Sequence, residues 1–209
     1  FMMMNYYTIL ASTEIAKEKG ESFLGFEESE YYKGSYFEKY INNDYAPKSK
    51  KVVKLFEGMH IPTQEDWKQL INKVKQDGMY NAYRLAIAPT QSIGYVQNAT
   101  PSIAPIVDTV EIRTYGNSTT YYPMPYLSQQ NYFFYQSAFE MDMYKYIDLV
   151  ATAQDHIDQG ISTILYVDSE TSTRELARLY IYAWKKGLKS LYYTRTRLLS
   201  ASECESCSV

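Results

Sequence analysis

An α/β fold is the class that this 209-residue sequence predicts, and three features of its last quarter support the prediction. Two short apolar runs, 161–167 and 188–194, have the composition of buried strands. Between them, residues 173–186 have helical periodicity, and Ser172 with Glu175 forms the Ser-x-x-Glu signature of a helix start. This order predicts a β-α-β unit with two parallel strands and a right-handed crossover.

The beginning of the chain is predicted to be helical. Residues 1–19 carry no helix breaker, and Gly20 is suited to the left-handed position that ends many helices. Helical spacing places Ala11, Ile15 and Ala16 on one face. We expect that face to point toward the core.

A second helix is predicted over residues 63–77. Thr63 is a candidate N-cap, and Asp66 stands three residues later, close to a capping box. Its apolar residues follow the i, i+3, i+4, i+7 spacing of a buried helix face: Trp67, Leu70, Ile71 and Val74. The polar segment 21–50 is predicted to connect the two helices, with a short helix near 36–41.

The middle of the chain gives a weaker pattern. Residues 84–88 are predicted to form a short buried strand that Pro89 ends. Residues 89–135, rich in Thr, Ser, Asn, Pro and Tyr, are predicted to be irregular with short pieces of strand or helix. Residues 139–159 are predicted to be a helix that Gly160 ends, with inward positions at Ile147, Val150, Ala151 and Ala153.

The composition excludes several classes of protein. A net charge of −3 argues against a nucleic-acid-binding protein, and no apolar run approaches the ~20 residues that cross a bilayer. The first residues lack the basic region of a signal peptide, and a chain that begins with Phe1 is expected to be a piece of something longer. Only two cysteines are present, so a cytoplasmic, reducing location fits better than secretion.

Two features near the end of the chain suggest redox chemistry. The adjacent phenols of Tyr192 and Tyr193 end an apolar run, and Cys204 and Cys207 form a Cys-x-x-Cys dithiol close to the terminus. A phenol can pass an electron with a proton, and a dithiol delivers two electrons by closing a disulfide. Cys204 lies eleven residues beyond Tyr193, so an extended tail would reach on the order of 35–40 Å.

Other interpretations of these residues stay open. The chain has 23 tyrosines and three further Tyr-Tyr pairs, so the pair Tyr192-Tyr193 needs no functional explanation. One phenol would pack in the core and the other would face solvent, because neighbouring side chains on a strand alternate. The thiols of Cys204 and Cys207 can be a pair without function or share a zinc ion with another chain. A zinc site within this chain would need about two further ligands, and we predict none. Placement at the end of the chain argues against a thioredoxin-like oxidoreductase.

A loop after the predicted strand 84–88 could bind an anion. Pro89, Thr90, Gln91, Ser92 and Ile93 lead from a strand end into a short helix, where free backbone N–H groups attract phosphate. No lysine is present, so the loop is not a P-loop, and a plain strand-to-helix turn is the alternative.

Four segments and the terminal dithiol together resemble the large, catalytic subunit of class I ribonucleotide reductase, most closely its class Ib type. The segments are 85–93 (LAIAPTQSI), 113–127 (RTYGNSTTYYPMPYL), 158–162 (DQGIS) and 185–197 (KKGLKSLYYTRTR). The resemblance covers essentially the whole chain. It implies that residues 1–197 are the C-terminal part of a ten-stranded α/β catalytic barrel and that 198–209 form a mobile redox tail.

The resemblance also implies a role for each candidate residue. Residues 89–93 correspond to the loop that holds the substrate diphosphate. Tyr192 and Tyr193 correspond to the pair that relays a radical from a metal-containing small subunit. Cys204 and Cys207 correspond to the dithiol that re-reduces the active site, which a thioredoxin or glutaredoxin-like protein then reduces.

One departure from the family limits what this chain can do alone. The family's radical-bearing cysteine and two reducing cysteines have no counterpart, because no cysteine precedes Cys204. The nucleotide effector sites, for dNTP and ATP, belong to the N-terminal part of the subunit. The chain is therefore expected to be a fragment or one half of a split subunit that needs the N-terminal part. The alternative is a non-catalytic fragment that only binds the small subunit.

Overall fold

The computed structural model describes residues 1–197, apart from the side chains of Gln91 and Tyr115. The chain divides into two compact units, residues 1–85 and the remainder from Ala86 onward. The helices of the first unit are α1 (Met2–Lys19), α2 (Glu30–Lys33), α3 (Glu38–Asn42), α4 (Lys50–Leu55) and α5 (Gln64–Asp77). The second unit contains α6 (Gln91–Val96), β1 (Val110–Tyr115), β2 (Ser118–Pro123), α7 (Met143–Gln154), β3 (Ile164–Asp168), α8 (Thr173–Lys185) and β4 (Tyr193–Arg197).

Helix α1 confirms the helix predicted over residues 1–19 but turns a different face inward. Gly20 ends it in the left-handed conformation, with φ of 70°. Ala16 is buried, whereas Ala11 and Ile15 are exposed, so the predicted inward face was wrong for these two residues. The buried face includes polar residues that hydrogen-bond inside the unit, namely Asn5, Ser12 and Thr13. Apolar spacing alone could not identify a face that is partly polar.

Helix α5 confirms its prediction in detail. Thr63 Oγ1 accepts from the Asp66 N–H at 3.2 Å, and Asp66 Oδ2 accepts from the Thr63 N–H at 2.7 Å, which completes the capping box. Trp67, Leu70 and Val74 are buried. The Trp67 ring stacks on Tyr40 of α3, with centroids 3.9 Å apart and planes 8° from parallel. The short helix predicted near 36–41 is thus α3, and it lies against α5.

Asn5 is the centre of a buried hydrogen-bond network in the first unit, where its side chain is fully inaccessible. Its Nδ2 donates to Tyr40 Oη at 2.8 Å, while Tyr36 Oη and Arg84 Nη1 each donate to its Oδ1 at 3.1 Å. Asn5→Leu keeps a similar side-chain volume but leaves the Tyr40 and Tyr36 hydroxyls and the Arg84 guanidinium without the amide that they all contact. We expect it to lower the free energy of unfolding by about 2–4 kcal/mol in urea titrations.

Tyr40→Phe is the matched control for that change. It removes one hydroxyl from the Asn5 network and keeps the ring that stacks on Trp67. We expect a loss of only about 1 kcal/mol. A larger loss for Tyr40→Phe than for Asn5→Leu would show that Asn5 is not the centre of the network.

The region predicted to be irregular, 89–135, contains an antiparallel hairpin. β1 pairs with β2 from Val110↔Pro123 to Tyr115↔Ser118. Gly116 at the first position of its two-residue turn has φ of 57°, a conformation that glycine adopts without strain. The Gly-Asn turn between two Thr- and Tyr-rich runs was the local signal for this hairpin.

The predicted β-α-β unit is confirmed, but both strands begin later than predicted, and β3 starts at Ile164 instead of residue 161. β3 and β4 are parallel, and Ser172 Oγ caps α8 by accepting from the Glu175 N–H. β4 begins at Tyr193, five residues later than predicted. The segment before it is held by a side chain, because Gln154 Oε1 accepts from the Lys189 N–H at 3.3 Å. The polar residues 194–197 form the strand because they pair with β3.

Two other predicted elements are shorter in the structure. The strand predicted over 84–88 is reduced to a parallel bridge between Ile87 and Ile161. The Ile87 N–H donates to Gly160 O, and the Ser162 N–H donates to Ile87 O. The helix predicted over 139–159 is confirmed only as α7, from Met143 to Gln154. Its start is fixed by Asp142, whose carboxylate accepts from the backbone N–H groups of the first turn.

Candidate functional site

One face of the β3–β4 pair forms the floor of a cavity in the second unit. The register pairs Ile164 with Tyr193 and Tyr166 with Arg195. Side chains alternate along a strand, so these four side chains lie on the same face. All four line a cavity of about 200 Å³, which we call the strand-face cavity.

Other segments supply the walls of the strand-face cavity. Pro89 is the first residue of the 89–93 loop, and Ser102 lies beyond the end of α6. Glu111 and Arg113 come from β1. Apolar side chains complete the lining, among them Pro105, Ile106 and Met124. The cavity therefore combines two guanidinium groups, one carboxylate and two phenols within apolar walls.

Tyr193 is the first residue of β4, and Tyr192 directly precedes it. Their ring centroids are 4.8 Å apart with planes at 65°, and the Tyr192 N–H donates to Thr163 O at 2.8 Å. The two side chains are 52% and 38% exposed. The interpretation that one phenol is in the core and the other in solvent is therefore wrong, and the strand that carries them is not a buried one. Both phenols are accessible within this chain, and the Tyr193 ring reaches the strand-face cavity.

The 89–93 loop has a defined geometry. Thr90 precedes α6, which begins at Gln91. The Thr90 N–H donates to Ser102 Oγ at 2.8 Å, and the Ser102 N–H donates to Thr90 Oγ1 at 2.7 Å. Ser92 and Ile93 are exposed, and Pro89 lines the cavity. The Thr90 hydroxyl is thus used inside the protein, while that of Ser92 faces solvent.

A phenol, a carboxylate and a guanidinium join α6 to the hairpin beside the cavity. The Tyr95 hydroxyl donates to Glu111 Oε2, and Arg113 Nη2 donates to Tyr95 Oη at 2.8 Å. Arg113 Nη2 also forms an ion pair with Glu111 Oε1 at 2.9 Å. Burial, followed by the hydrogen bond to Glu111, raises the pKa of Tyr95 to about 12.

Comparison with known proteins now identifies the family. The family model described as "Ribonucleotide reductase, barrel domain" matches residues 1–194. This chain belongs to that family. The match covers the whole first unit, most of the second, and every residue that lines the strand-face cavity except Arg195.

Individual relatives agree with the family match. The chain is 54% identical over its full length to the ribonucleoside-diphosphate reductase subunit alpha of Bacillus subtilis, and it spans 30% of that protein. It is 52% identical to the ribonucleoside-diphosphate reductase nrdEB subunit alpha of Bacillus phage SPbeta, spanning 19% of it. It is 38% identical to the subunit alpha of Mycoplasma pneumoniae, spanning 31%. The chain thus covers less than a third of each of these reductase subunits.

The structure of this reductase-family chain brings only part of the predicted site together. Pro89 and Tyr193 line one cavity, although more than a hundred residues separate them in sequence. Cys204 and Cys207 lie outside the described residues. Within residues 1–197, no group of three or more acidic, His or Cys side chains is arranged to hold a metal ion. Among the helices of the same range, none combines the length and the apolar character that a bilayer crossing needs.

Several residues that line or adjoin the cavity were not among the predicted site residues: Tyr95, Ser102, Glu111, Arg113, Tyr166 and Arg195. The Glu-x-Arg spacing of 111 and 113 was an available signal, because a period of two places both side chains on one face of a strand. Arg195 and Tyr193 share the same spacing. No local signal connected Tyr166 to them, because that contact depends on the register between β3 and β4.

The buried phenol of Tyr166 is expected to make the stability of the second unit depend on pH in the alkaline range. It is 5% exposed, and burial, followed by the Tyr193 phenol, raises its pKa to about 12. A pKa above the ordinary value of about 10 means that its stabilising contribution is present below pH ~10 and lost toward pH ~12. Tyr166→Phe cannot ionise. Between pH 10 and 12 we therefore expect the unfolding free energy of the Tyr166→Phe variant to fall less than that of the wild type. The difference should reach about 2–3 kcal/mol at pH 12. Urea titrations at pH 9 to 12 would measure this, and parallel slopes would contradict it.

Proposed function

We propose that this chain acts as the C-terminal part of a ribonucleoside-diphosphate reductase alpha subunit, most like class Ib, within a ten-stranded α/β barrel. The reaction replaces the 2′-hydroxyl of a ribonucleoside diphosphate with hydrogen. The hydroxyl leaves as water, and two electrons come from a dithiol that becomes a disulfide. The remaining part of the subunit supplies the radical-bearing and reducing cysteines, and we place the enzyme in the cytoplasm.

The observation that carries this proposal is that Pro89 and Tyr193 line one cavity. One belongs to the loop expected to hold the substrate diphosphate, and the other to the pair expected to deliver the radical. A reductase needs these two functions at one substrate, because the radical has to reach the ribose while the diphosphate fixes its position.

The cavity also has chemistry suited to an anionic, polar substrate. Arg113 and Arg195 bring guanidinium groups to its wall, and the Ser92 hydroxyl on the 89–93 loop faces solvent. Among the described residues, the Arg195 guanidinium forms no hydrogen bond or ion pair, so its N–H groups are available to a ligand. Thr90, Gln91 and Ile93 would contribute mainly through the backbone of this loop.

The two phenols have the separation that stepwise radical transfer requires. The Tyr192 and Tyr193 rings are in contact, so an electron can pass between them while each hydroxyl proton moves locally. Their exposure leaves room for a metal-containing small subunit that supplies the radical. In this proposal Cys204 and Cys207 then return two electrons to the active site, and a thioredoxin or glutaredoxin-like protein reduces them again.

A reconstitution assay tests the proposal. This chain is mixed with a matching N-terminal part of the alpha subunit, a radical-bearing small subunit and a dithiol reductant. Conversion of cytidine diphosphate to its deoxy form is then followed. We expect turnover only when all components are present. Complex formation without turnover would instead favour the non-catalytic fragment that only binds the small subunit.

A further inference from the structure

We propose that Tyr95, Glu111 and Arg113 form a positioning network, which holds the 89–93 loop in the shape that receives the substrate diphosphate. This inference rests on the proposed function and gives a positioning role to Tyr95, which is not among the residues that line the cavity, and to its two partners on β1. Its starting point is the size of α6. Six residues, Gln91–Val96, are too few to form a stable helix alone, so contacts with the rest of the unit must hold it.

Both ends of α6 are held, but by different means. At its start, Thr90 and Ser102 exchange two hydrogen bonds of 2.8 and 2.7 Å. Between the ends, Gly94 lies so close to the following loop that an added Cβ would be 3.2 Å from the backbone at Thr100 and Pro101. At its end, Tyr95 is the residue that reaches the hairpin. The loop and Tyr95 therefore belong to one short segment that is held at its start, middle and end.

Several contacts fix the Tyr95 ring in place. Its hydroxyl donates to Glu111 and accepts from Arg113. The Arg113 guanidinium carbon lies 4.6 Å from the centroid of the Tyr95 ring, and the Tyr122 ring of β2 lies 4.6 Å from it as well. Since Glu111 and Tyr122 are register partners across the hairpin, both strands hold the same phenol.

The charges of the network explain why it contains an arginine. Glu111 lines the cavity, where an unpaired carboxylate would repel a diphosphate. Arg113 lies within 2.9 Å of that carboxylate, and both side chains are three-quarters buried. The ion pair thus keeps the wall close to neutral while Glu111 remains an acceptor for Tyr95. Loss of the Tyr95 hydroxyl would free the end of α6, whereas loss of Arg113 would in addition expose the carboxylate.

The chain offers a matched control network with the same chemistry. Tyr182 Oη donates to Asp148 Oδ1 at 2.9 Å, and Lys186 Nζ forms an ion pair with the same oxygen at 2.7 Å. The Lys186 nitrogen also lies 5.1 Å from the centroid of the Tyr182 ring. This network joins α7 to α8 and has no residue in the loop or the cavity lining. Tyr95→Phe and Tyr182→Phe therefore remove equivalent hydroxyls.

The test compares these two variants by hydrogen exchange and by kinetics. We expect Tyr95→Phe to speed amide exchange in residues 90–97 by roughly tenfold, and Tyr182→Phe to leave that segment unchanged. In the reconstituted enzyme, Tyr95→Phe should raise KM for cytidine diphosphate by roughly three- to tenfold with kcat within about twofold. Arg113→Met should raise KM further. Unchanged exchange in 90–97, or faster exchange without a rise in KM, would overturn the proposal.

A separate measurement distinguishes failure of this inference from failure of the proposed function. If the wild-type mixture shows no turnover, the proposed function fails, and inorganic pyrophosphate then serves as the probe. Slower exchange of 90–97 with pyrophosphate in the wild type, but not in Tyr95→Phe, would support a positioned diphosphate loop. No slowing in the wild type would overturn it.

Discussion

Replacing Tyr193 with phenylalanine is expected to lower the turnover rate of the reconstituted reductase by roughly a thousandfold or more. This corresponds to an activation free energy raised by about 4 kcal/mol. Phenylalanine has no O–H to lose, so the radical cannot pass between this position and Tyr192. The fold should tolerate the change, because no hydrogen bond of the Tyr193 hydroxyl is found within residues 1–197. Its ring contact with Tyr192, at 4.8 Å between centroids, is retained. The measurement is deoxycytidine diphosphate formed per minute.

Tyr121→Phe is the control for that loss. Tyr121 belongs to another Tyr-Tyr pair in the chain and is 63% exposed, so its replacement removes a comparable surface phenol. We expect unchanged turnover for Tyr121→Phe and an equally severe loss for Tyr192→Phe. Turnover above about a tenth of wild type in Tyr193→Phe would remove Tyr193 from the radical pathway.

Changing both Cys204 and Cys207 to serine is expected to have the second-largest effect. With a thioredoxin as reductant, repeated turnover should fall by roughly a hundredfold, because no dithiol remains to re-reduce the active site. The first turnover should be retained, since it uses electrons already stored there. Dithiothreitol, a small dithiol that can enter the site itself, should restore part of the rate. Single- and multiple-turnover assays with both reductants measure this.

The neighbouring residue Ser206 provides the control for the dithiol. Ser206→Ala alters the same tail without removing a thiol, and we expect thioredoxin-supported turnover to stay within about twofold of wild type. Equal rates for the double serine variant and the wild type with thioredoxin would show that the tail is not the electron donor. The tyrosine variants should not be rescued by dithiothreitol, which separates the two effects.

The elements that were predicted well are those whose signals are local. The capping box of Thr63 and Asp66 marks the start of α5, and Ser172 marks the start of α8. A side-chain oxygen within three residues of a helix start satisfies its free N–H groups, so this information lies entirely in the adjacent sequence. The parallel pairing of β3 and β4 follows for a similar reason, because a helix of this length between two strands favours a crossover.

The elements that were predicted poorly depend on distant partners. β4 begins at Tyr193 because its backbone pairs with β3 from Ile164 onward. Lys189, four residues before the strand, is instead held by the Gln154 side chain. The inward face of α1 contains Asn5, whose burial is tolerated only because tyrosines of other elements hydrogen-bond to it. Neither fact can be obtained from periodicity within one segment.

The sequence by itself determined the family and the starts of α5 and α8, and it contains the groups on which the proposed function depends: two adjacent phenols, a dithiol and a hydroxyl-bearing loop. These are properties of residue type and spacing. Only the tertiary structure decided that Pro89 and Tyr193 face one cavity, that both phenols are accessible, and that Tyr95 hydrogen-bonds to Glu111 and Arg113. The reason is that strand register and hydrogen bonds between elements set these relations, and each joins residues that are far apart in the chain.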